Sequence, residues 1–142
     1  KIGKIPTYVE KEFSFPLGNN RIIGRWDRVD IEKEKVTIID FKSSEIKVQK
    51  DADKKAKDSL QLSLYALAYK TMYGVMPDNV ELHFLESDLV GRAERKDQDL
   101  DELKDKINKV SSGIRNQVFE AKPVYLACTW CAFNQICPAA IC

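Results

Sequence analysis

Asp40 and Lys42 close the stretch V-T-I-I-D-F-K, residues 36–42, which otherwise reads as a buried strand. Side chains alternate faces along a strand, so Val36, Ile38, Asp40 and Lys42 share one face and Thr37, Ile39 and Phe41 the other. An acid and a base therefore extend one apolar row side by side. Taken alone, Asp-x-Lys is more often a solvated ion pair than a site. A second acid widens the chemistry. Asp27 lies in the preceding segment, R-I-I-G-R-W-D-R-V-D-I (21–31), and a hairpin can set it beside Asp40. Two carboxylates with backbone carbonyls and water make an oxygen-rich site suited to Mg²⁺ or Mn²⁺. A lysine beside such a site can orient or deprotonate a water and offset charge developing on a phosphate. The reaction class this suggests is metal-assisted hydrolysis of a phosphodiester. Gln61 and Tyr65, four residues apart on the next helical stretch, share a face and can stand over the same site. The plainer alternative leaves Gln61 exposed and Tyr65 in the core.

The elements that would position these residues follow from periodicity. Residues 8–17 alternate as a strand closed by Pro16, and G-N-N supplies turn chemistry. Residues 21–31 and 36–42 form two more strands around a polar E-K-E-K turn, giving an antiparallel meander. The charged segment 46–58 reads as a solvated loop running into a helix. From about Lys55 to Tyr73 apolar residues recur at helical spacing, Leu60, Leu64 and Leu67 on one stripe and Leu62, Tyr65, Tyr69 and Met72 on another. Gly74 and Pro77 end that helix. Residues 79–86 alternate as a fourth strand. Asp97 or Asp99 can cap a second helix with the stripe Leu100, Leu103, Ile107, Val110 and Ile114. This order predicts an α/β (α+β) domain with a mixed central sheet flanked by helices.

The chain has 142 residues, 32% of them charged, with a formal net charge of +1. One domain's worth of length allows a real core, and balanced charge argues against a disordered tail or polybasic arm. Near-neutrality still admits nucleic acid, because carboxylates at a metal site offset a basic binding surface. No apolar run approaches the roughly 20 residues of a membrane span, and no signal peptide is recognisable. The chain begins at Lys1 without an initiator Met and reads as a piece cut from a longer protein. All four cysteines, Cys128, Cys131, Cys137 and Cys142, fall in the last fifteen residues. A disulfide scaffold would spread them; clustering with a C-x-x-C start reads as metal or cluster ligation in a reducing, cytoplasmic setting.

Four strings in order, G-R-W-D-R-V-D, I-I-D-F-K-S, L-Q-L-S-L-Y-A and C-T-W-C-A-F-N-Q-I-C-P, resemble the RecB-type branch of the PD-(D/E)xK nuclease superfamily. More narrowly they are similar to the nuclease domain at the C-terminus of UvrD/PcrA-like and AddB-like helicases. Iron–sulfur CRISPR-associated exonucleases share the pattern, which here runs from about Glu10 to Pro138. The resemblance implies a restriction-endonuclease-like core over residues 1–120, lacking its N-terminal helix, and a cysteine segment over 121–142. It implies that Asp27, Asp40 and the Phe41 carbonyl bind the divalent ion and that Lys42 is catalytic. Gln61 and Tyr65 match the family's Q-x-x-x-Y motif, which lines the site and contacts DNA. Glu10 falls where many relatives carry an acid in the first strand, and Asp30 reads as a strand-end acid. Cys128, Cys131 and Cys137 match the ligand trio of a [4Fe–4S] cluster in the intact protein, with Cys142 a substitute fourth ligand or a loose thiol. Zinc is the alternative, since C-x-x-C is common in structural zinc sites.

The sequence departs from relatives in lacking the upstream His helix and first cluster cysteine, and the isolated piece is accordingly expected to lack part of its active site. His83, the only histidine, matches no such motif and reads as structural. Trp26 and Trp130 read as packing residues before base-stacking ones, and K-K-A-K-D and R-A-E-R-K as solvated faces. The expected activity is a Mg²⁺- or Mn²⁺-dependent deoxyribonuclease, an exonuclease, acting on single-stranded DNA or a duplex end. It would be joined to helicase domains of a repair or recombination protein. Two rivals are a stand-alone CRISPR-associated exonuclease and a non-catalytic DNA-binding module of a helicase.

Overall fold

A computed structural model describes residues 5–142, so the first four residues of the expected 1–120 core lie outside the described residues. The chain divides into two compact units, residues 1–107 and 108–142. The first holds a five-stranded mixed sheet in the order β1-β2-β3-β4-β5, comprising β1 (Tyr8–Leu17), β2 (Asn20–Glu32), β3 (Lys35–Lys42), β4 (Asn79–Phe84) and β5 (Leu89–Ala93). The meander β1-β2-β3 is antiparallel as expected, β4 joins β3 in parallel, and β5 returns antiparallel. Alternation did not reveal β5, whose five residues carry little pattern of their own.

Two short turns set the register of the meander. Gly18 takes φ 58 in the two-residue turn after Leu17, and Leu17 pairs Asn20 across it. The strand does not stop at Pro16, which pairs Arg21; β1 is an edge strand, where a missing N–H leaves no ladder bond broken. Between β2 and β3, Lys33 and Glu34 have φ 49 and 65, both positive as a tight primed turn requires, and Glu32 pairs Lys35.

The expected single helix from Lys55 to Tyr73 is two helices, and the supposed loop before it is the first. α1 (Gln49–Asp58) ends at Ser59, whose ψ of 113 breaks the helical path, and α2 (Leu60–Tyr73) starts there with Ser59 Oγ accepting from the Leu62 N–H. α1 looks solvated in sequence because eight of its ten residues are polar or charged, yet Ala52 and Ala56 are fully buried. Small side chains let the helix lie close to the sheet. A Cβ added at Gly91 of β5 would come within 2.0 Å of the Ala52 carbonyl oxygen.

Arg95 corrects the reading of R-A-E-R-K as a solvated face. Its guanidinium is buried, donating to the Ala56 and Ser59 carbonyls and to Ser63 Oγ. It caps the end of α1 at the Ala56 carbonyl and joins the Ser63 N–H and hydroxyl as a donor to the Ser59 carbonyl. Arg92, in the same run, pairs with Glu81.

One core joins the sheet to α1, α2 and the start of α3 (Asp97–Arg115) through Trp26, Val29, Ile38, Leu62, Val80, Phe84 and Leu100. The α2 stripes are only partly core: Leu60 and Met72 are exposed. On α3, Leu100 and Leu103 are buried while Val110 and Ile114 are exposed. Asp99 accepts from the Lys96 N–H at the start of α3, and Asp97 pairs Lys70. In the second unit, α4 (Tyr125–Thr129) is a single short helix, and Trp130 is exposed. Among the described residues no helix is long and apolar enough to cross a membrane.

Because α1 rests on β5 backbone to backbone, Gly91→Ala must push the helix away. We expect a loss of about 1–3 kcal/mol in urea unfolding, the usual range for overpacking a core. An unchanged midpoint would show that α1 does not rest on Gly91.

Candidate active site

Asp27 and Asp40 meet because of turn length. Counting back from the Glu32–Lys35 pair, the β2–β3 ladder reaches Arg28–Ile39, and the next residues are Asp27 and Asp40. A one-residue slip would turn the row to the opposite face. Asp27 Oδ2 accepts from the Phe41 N–H at 3.0 Å, which ties the first acid to the strand carrying the second. On the other side, β1 pairs Val9 with Arg28 and Lys11 with Trp26, which sets Glu10 opposite Asp27. Glu10 has φ 47 and is exposed. A non-glycine residue in that region costs free energy that neighbouring structure must offset.

Asp40 is 2% exposed at the end of the apolar β3 row. Its Oδ2 lies 2.7 Å from Lys42 Nζ, yet this buried oxygen has no hydrogen-bond donor among the described residues. The two groups are held chiefly by charge. Burial pushes the Asp40 carboxyl above its ordinary range; Lys42 pulls it down, and the neighbouring Asp27 carboxylate pushes it up again. The net effect favours the protonated form of this group.

The lysine is held from α2. Lys42 Nζ donates to Gln61 Oε1 at 2.7 Å, and Gln61 Nε2 donates to the Tyr65 hydroxyl oxygen at 3.0 Å. Tyr65 is buried, and burial with the nearby Asp40 and Asp27 charges raises its pKa. Thus Asp27, Asp40, Lys42, Gln61 and Tyr65 form one connected group. Sequence reading gave Trp26 as a packing residue but not the bond it makes, and it took the run holding Arg95 as solvated. The buried Trp26 indole donates to the Tyr65 carbonyl at 3.2 Å, fixing α2 against β2 one residue before Asp27. Arg95 sets the break after which Gln61 follows. A hydrophobic residue beside a candidate acid and an arginine in a charged run carry no signal of either role.

The donor chemistry suits a divalent cation. Two carboxylates converge, one with a buried oxygen that lacks a donor, and the Phe41 backbone lies between Asp40 and Lys42. Among the described residues no group of three His, Cys, Asp or Glu side chains is placed to hold a metal. The site therefore offers two acids with backbone and water oxygens, and Glu10 stands apart. Asp30 instead pairs with Arg28, and His83 pairs with Glu81 while its ring meets Phe41 edge to face at 5.7 Å.

In the second unit the four thiols are free; Cys128 is half-buried and Cys131, Cys137 and Cys142 are exposed. The Phe133 N–H donates to Cys131 Sγ at 3.4 Å. No three of these sulfurs are gathered as a ligand set.

The family model for the PD-(D/E)XK nuclease superfamily matches residues 3–138. The crystal structure of SSO0001 is similar, with a TM-score of 0.50 at 17% identity over 94% of this chain and 60% of that one. That likeness is one of fold, and the chain spans 60% of the length of the solved structure it matches. No curated protein sequence matches the chain.

Asp40→Asn tests the electrostatics directly. The raised carboxyl pKa means that ionised Asp40 opposes folding at neutral pH, and the penalty fades as pH falls from its folded-state value to the ordinary unfolded one. In metal-free buffer at pH 7 the variant should melt above the wild type, with the gap closing as pH falls. A lower melting temperature at pH 7 would show that the Lys42 attraction outweighs burial.

Proposed function

Because the chain belongs to the PD-(D/E)XK nuclease superfamily, we propose that it is a metal-dependent deoxyribonuclease whose centre is Asp27, Asp40 and Lys42. The observation that carries this reading is the buried Asp40 oxygen, without a hydrogen-bond donor, beside a second carboxylate and a lysine. Asp27, Asp40 and the Phe41 carbonyl would hold Mg²⁺ or Mn²⁺. When bound, the ion supplies a Lewis acid that polarises a phosphoryl oxygen and makes a water more acidic. The chain's own residues do the rest. Lys42 presents a positive charge where a pentacoordinate phosphate accumulates negative charge, and Gln61 keeps the ammonium from swinging into solvent. Tyr65 fixes the Gln61 amide, so the lysine enters the reaction already oriented. The Phe41 N–H holds Asp27 in its rotamer, and Glu10 sits at the rim.

The finer placement rests on motif order. D-R-V-D, I-I-D-F-K, Q-L-S-L-Y and the cysteine string support a nuclease domain of a RecB-like helicase–nuclease in DNA repair or recombination, with helicase domains on the same chain. An exonuclease of CRISPR adaptation is the alternative. Single-stranded DNA or a duplex end is the substrate, and a DNA enzyme with four free thiols suits the reducing cytoplasm. For Cys128, Cys131 and Cys137, a [4Fe–4S] cluster in the intact protein rests on the resemblance of their C-x₂-C-x₅-C string to the ligand trio of RecB-like nucleases, with zinc the alternative.

Calorimetry should show Mn²⁺ binding to the wild type and its loss in Asp40→Asn; equal binding by both removes the metal site. In the full-length protein, Lys42→Ala should lower DNA cleavage by about 10²–10⁴-fold with DNA binding nearly unchanged, since its charge matters most in the transition state. Cleavage at the wild-type rate would sink its role. Full-length protein purified without oxygen should contain iron and sulfide; zinc alone would make the segment a zinc knuckle.

A further inference from the structure

Gln61, Tyr65, Tyr69 and Tyr73 stand at four-residue intervals and form one stripe along α2. Gln61 and Tyr65 belong to the centre already described, and Tyr69 is buried. Tyr73, in the last turn, is 37% exposed. Its ring is nearly parallel to that of Tyr8 in β1, with centroids 6.3 Å apart and 7° between planes. Trp26 and Tyr69 pack behind it, with centroids 6.3 Å and 4.7 Å away. Lys11 completes the arrangement. Its ammonium stands 3.8 Å from the Tyr8 centroid and 5.7 Å from that of Tyr73. Among the described residues Lys11 has no carboxylate partner, whereas Lys42 is engaged by Asp40 and Gln61.

The location gives these groups a use. Lys11 pairs Trp26 across the β1–β2 ladder, one step from the Glu10–Asp27 position. Tyr73 lies eight residues beyond Tyr65, about 12 Å along the helix. At about 3.4 Å per stacked nucleotide, that is three to four nucleotides from the centre. A held aromatic face beside a cation that no carboxylate neutralises is what a single strand requires, because every base offers a π-face and every linkage a phosphate.

We propose that Tyr8, Lys11 and Tyr73 form a subsite for single-stranded DNA, with a base stacked on the Tyr73 ring and a phosphate held by Lys11. This rests on the nuclease reading of the Asp27–Asp40 centre and extends it to the path of the strand leaving that centre. The Tyr8 ring and Trp26 keep Tyr73 from turning, so the stacking face is set before the strand arrives.

The test is fluorescence anisotropy of the full chain with a fluorescein-labelled oligo-dT of about 12 nucleotides, within the usual footprint of single-strand sites, with Ca²⁺ as the ion. Tyr73→Leu keeps an apolar contact on Trp26 but removes the π-face, and it should bind about 5- to 150-fold more weakly, the loss that follows removal of one stacking ring. Tyr73→Phe should bind as the wild type does. Lys11→Ala should reduce the slope of log affinity against log salt by about 0.7, one phosphate contact on a single strand. Wild-type affinity in Tyr73→Leu together with an unchanged slope in Lys11→Ala, both folded by circular dichroism, overturns the subsite and leaves the nuclease reading intact. An equal loss by Tyr73→Leu on a blunt duplex overturns the base-stacking assignment. Failure of the wild type to bind any DNA removes the nuclease reading itself. Should Tyr73→Leu fail to fold, the Lys11→Ala slope decides.

Discussion

The first unit is organised around a carboxylate that the core does not favour. Asp40 continues the row of Val36 and Ile38, and only 2% of it is exposed. A charged group there must be paired, protonated or bound to a cation, since desolvation otherwise costs several kcal/mol. Lys42 is the partner that the chain supplies, and Asp27 works against it. The balance leaves an oxygen with no directed donor. That is a poor arrangement for stability and a suitable one for receiving an ion, and the surrounding structure serves to hold it in place.

The holding is done from below. Trp26 binds the α2 backbone at Tyr65, so β2 and α2 cannot slide past one another without losing a buried hydrogen bond. Arg95 spans the carbonyls at the junction of α1 and α2, and burial lowers its pKa without removing its charge at any ordinary pH. Had α1 and α2 run as one straight helix, Gln61 would lie mid-helix and the bend that starts α2 at Leu60 would be lost. The break therefore serves the lysine. It places a glutamine in the first turn of a new helix, where its side chain reaches the end of β3.

The opposite side of the sheet follows a different rule. Asp30 is engaged by Arg28, while Glu81 is held between His83 and Arg92. Burial works against the charge of Glu81, yet these two partners keep its pKa below the usual carboxylate value. Glu81 is a buried acid held by two basic partners, whereas Asp40 has Lys42 alone and a second acid beside it. The contrast separates a structural carboxylate from one available for chemistry, though both sit in adjacent strands of the same sheet.

What the sequence alone determined was local. Alternation identified the meander and β4, the hairpin order allowed Asp27 to neighbour Asp40, and the four-residue step from Gln61 to Tyr65 put both on one helix face. Each depends on residues close together in the chain, with a period that their own backbone imposes. The tertiary structure decided the rest. α1 was hidden because its two buried residues, Ala52 and Ala56, are too small to carry a hydrophobic signal, and β5 was too short to show a period. Arg95 looked solvated because its partners lie more than thirty residues away. How deeply Asp40 was buried, and whether Tyr73 met Tyr8 and Lys11, depended on strands and helices packed from distant parts of the chain. Periodicity reports which way a side chain faces; only packing determines what it meets there.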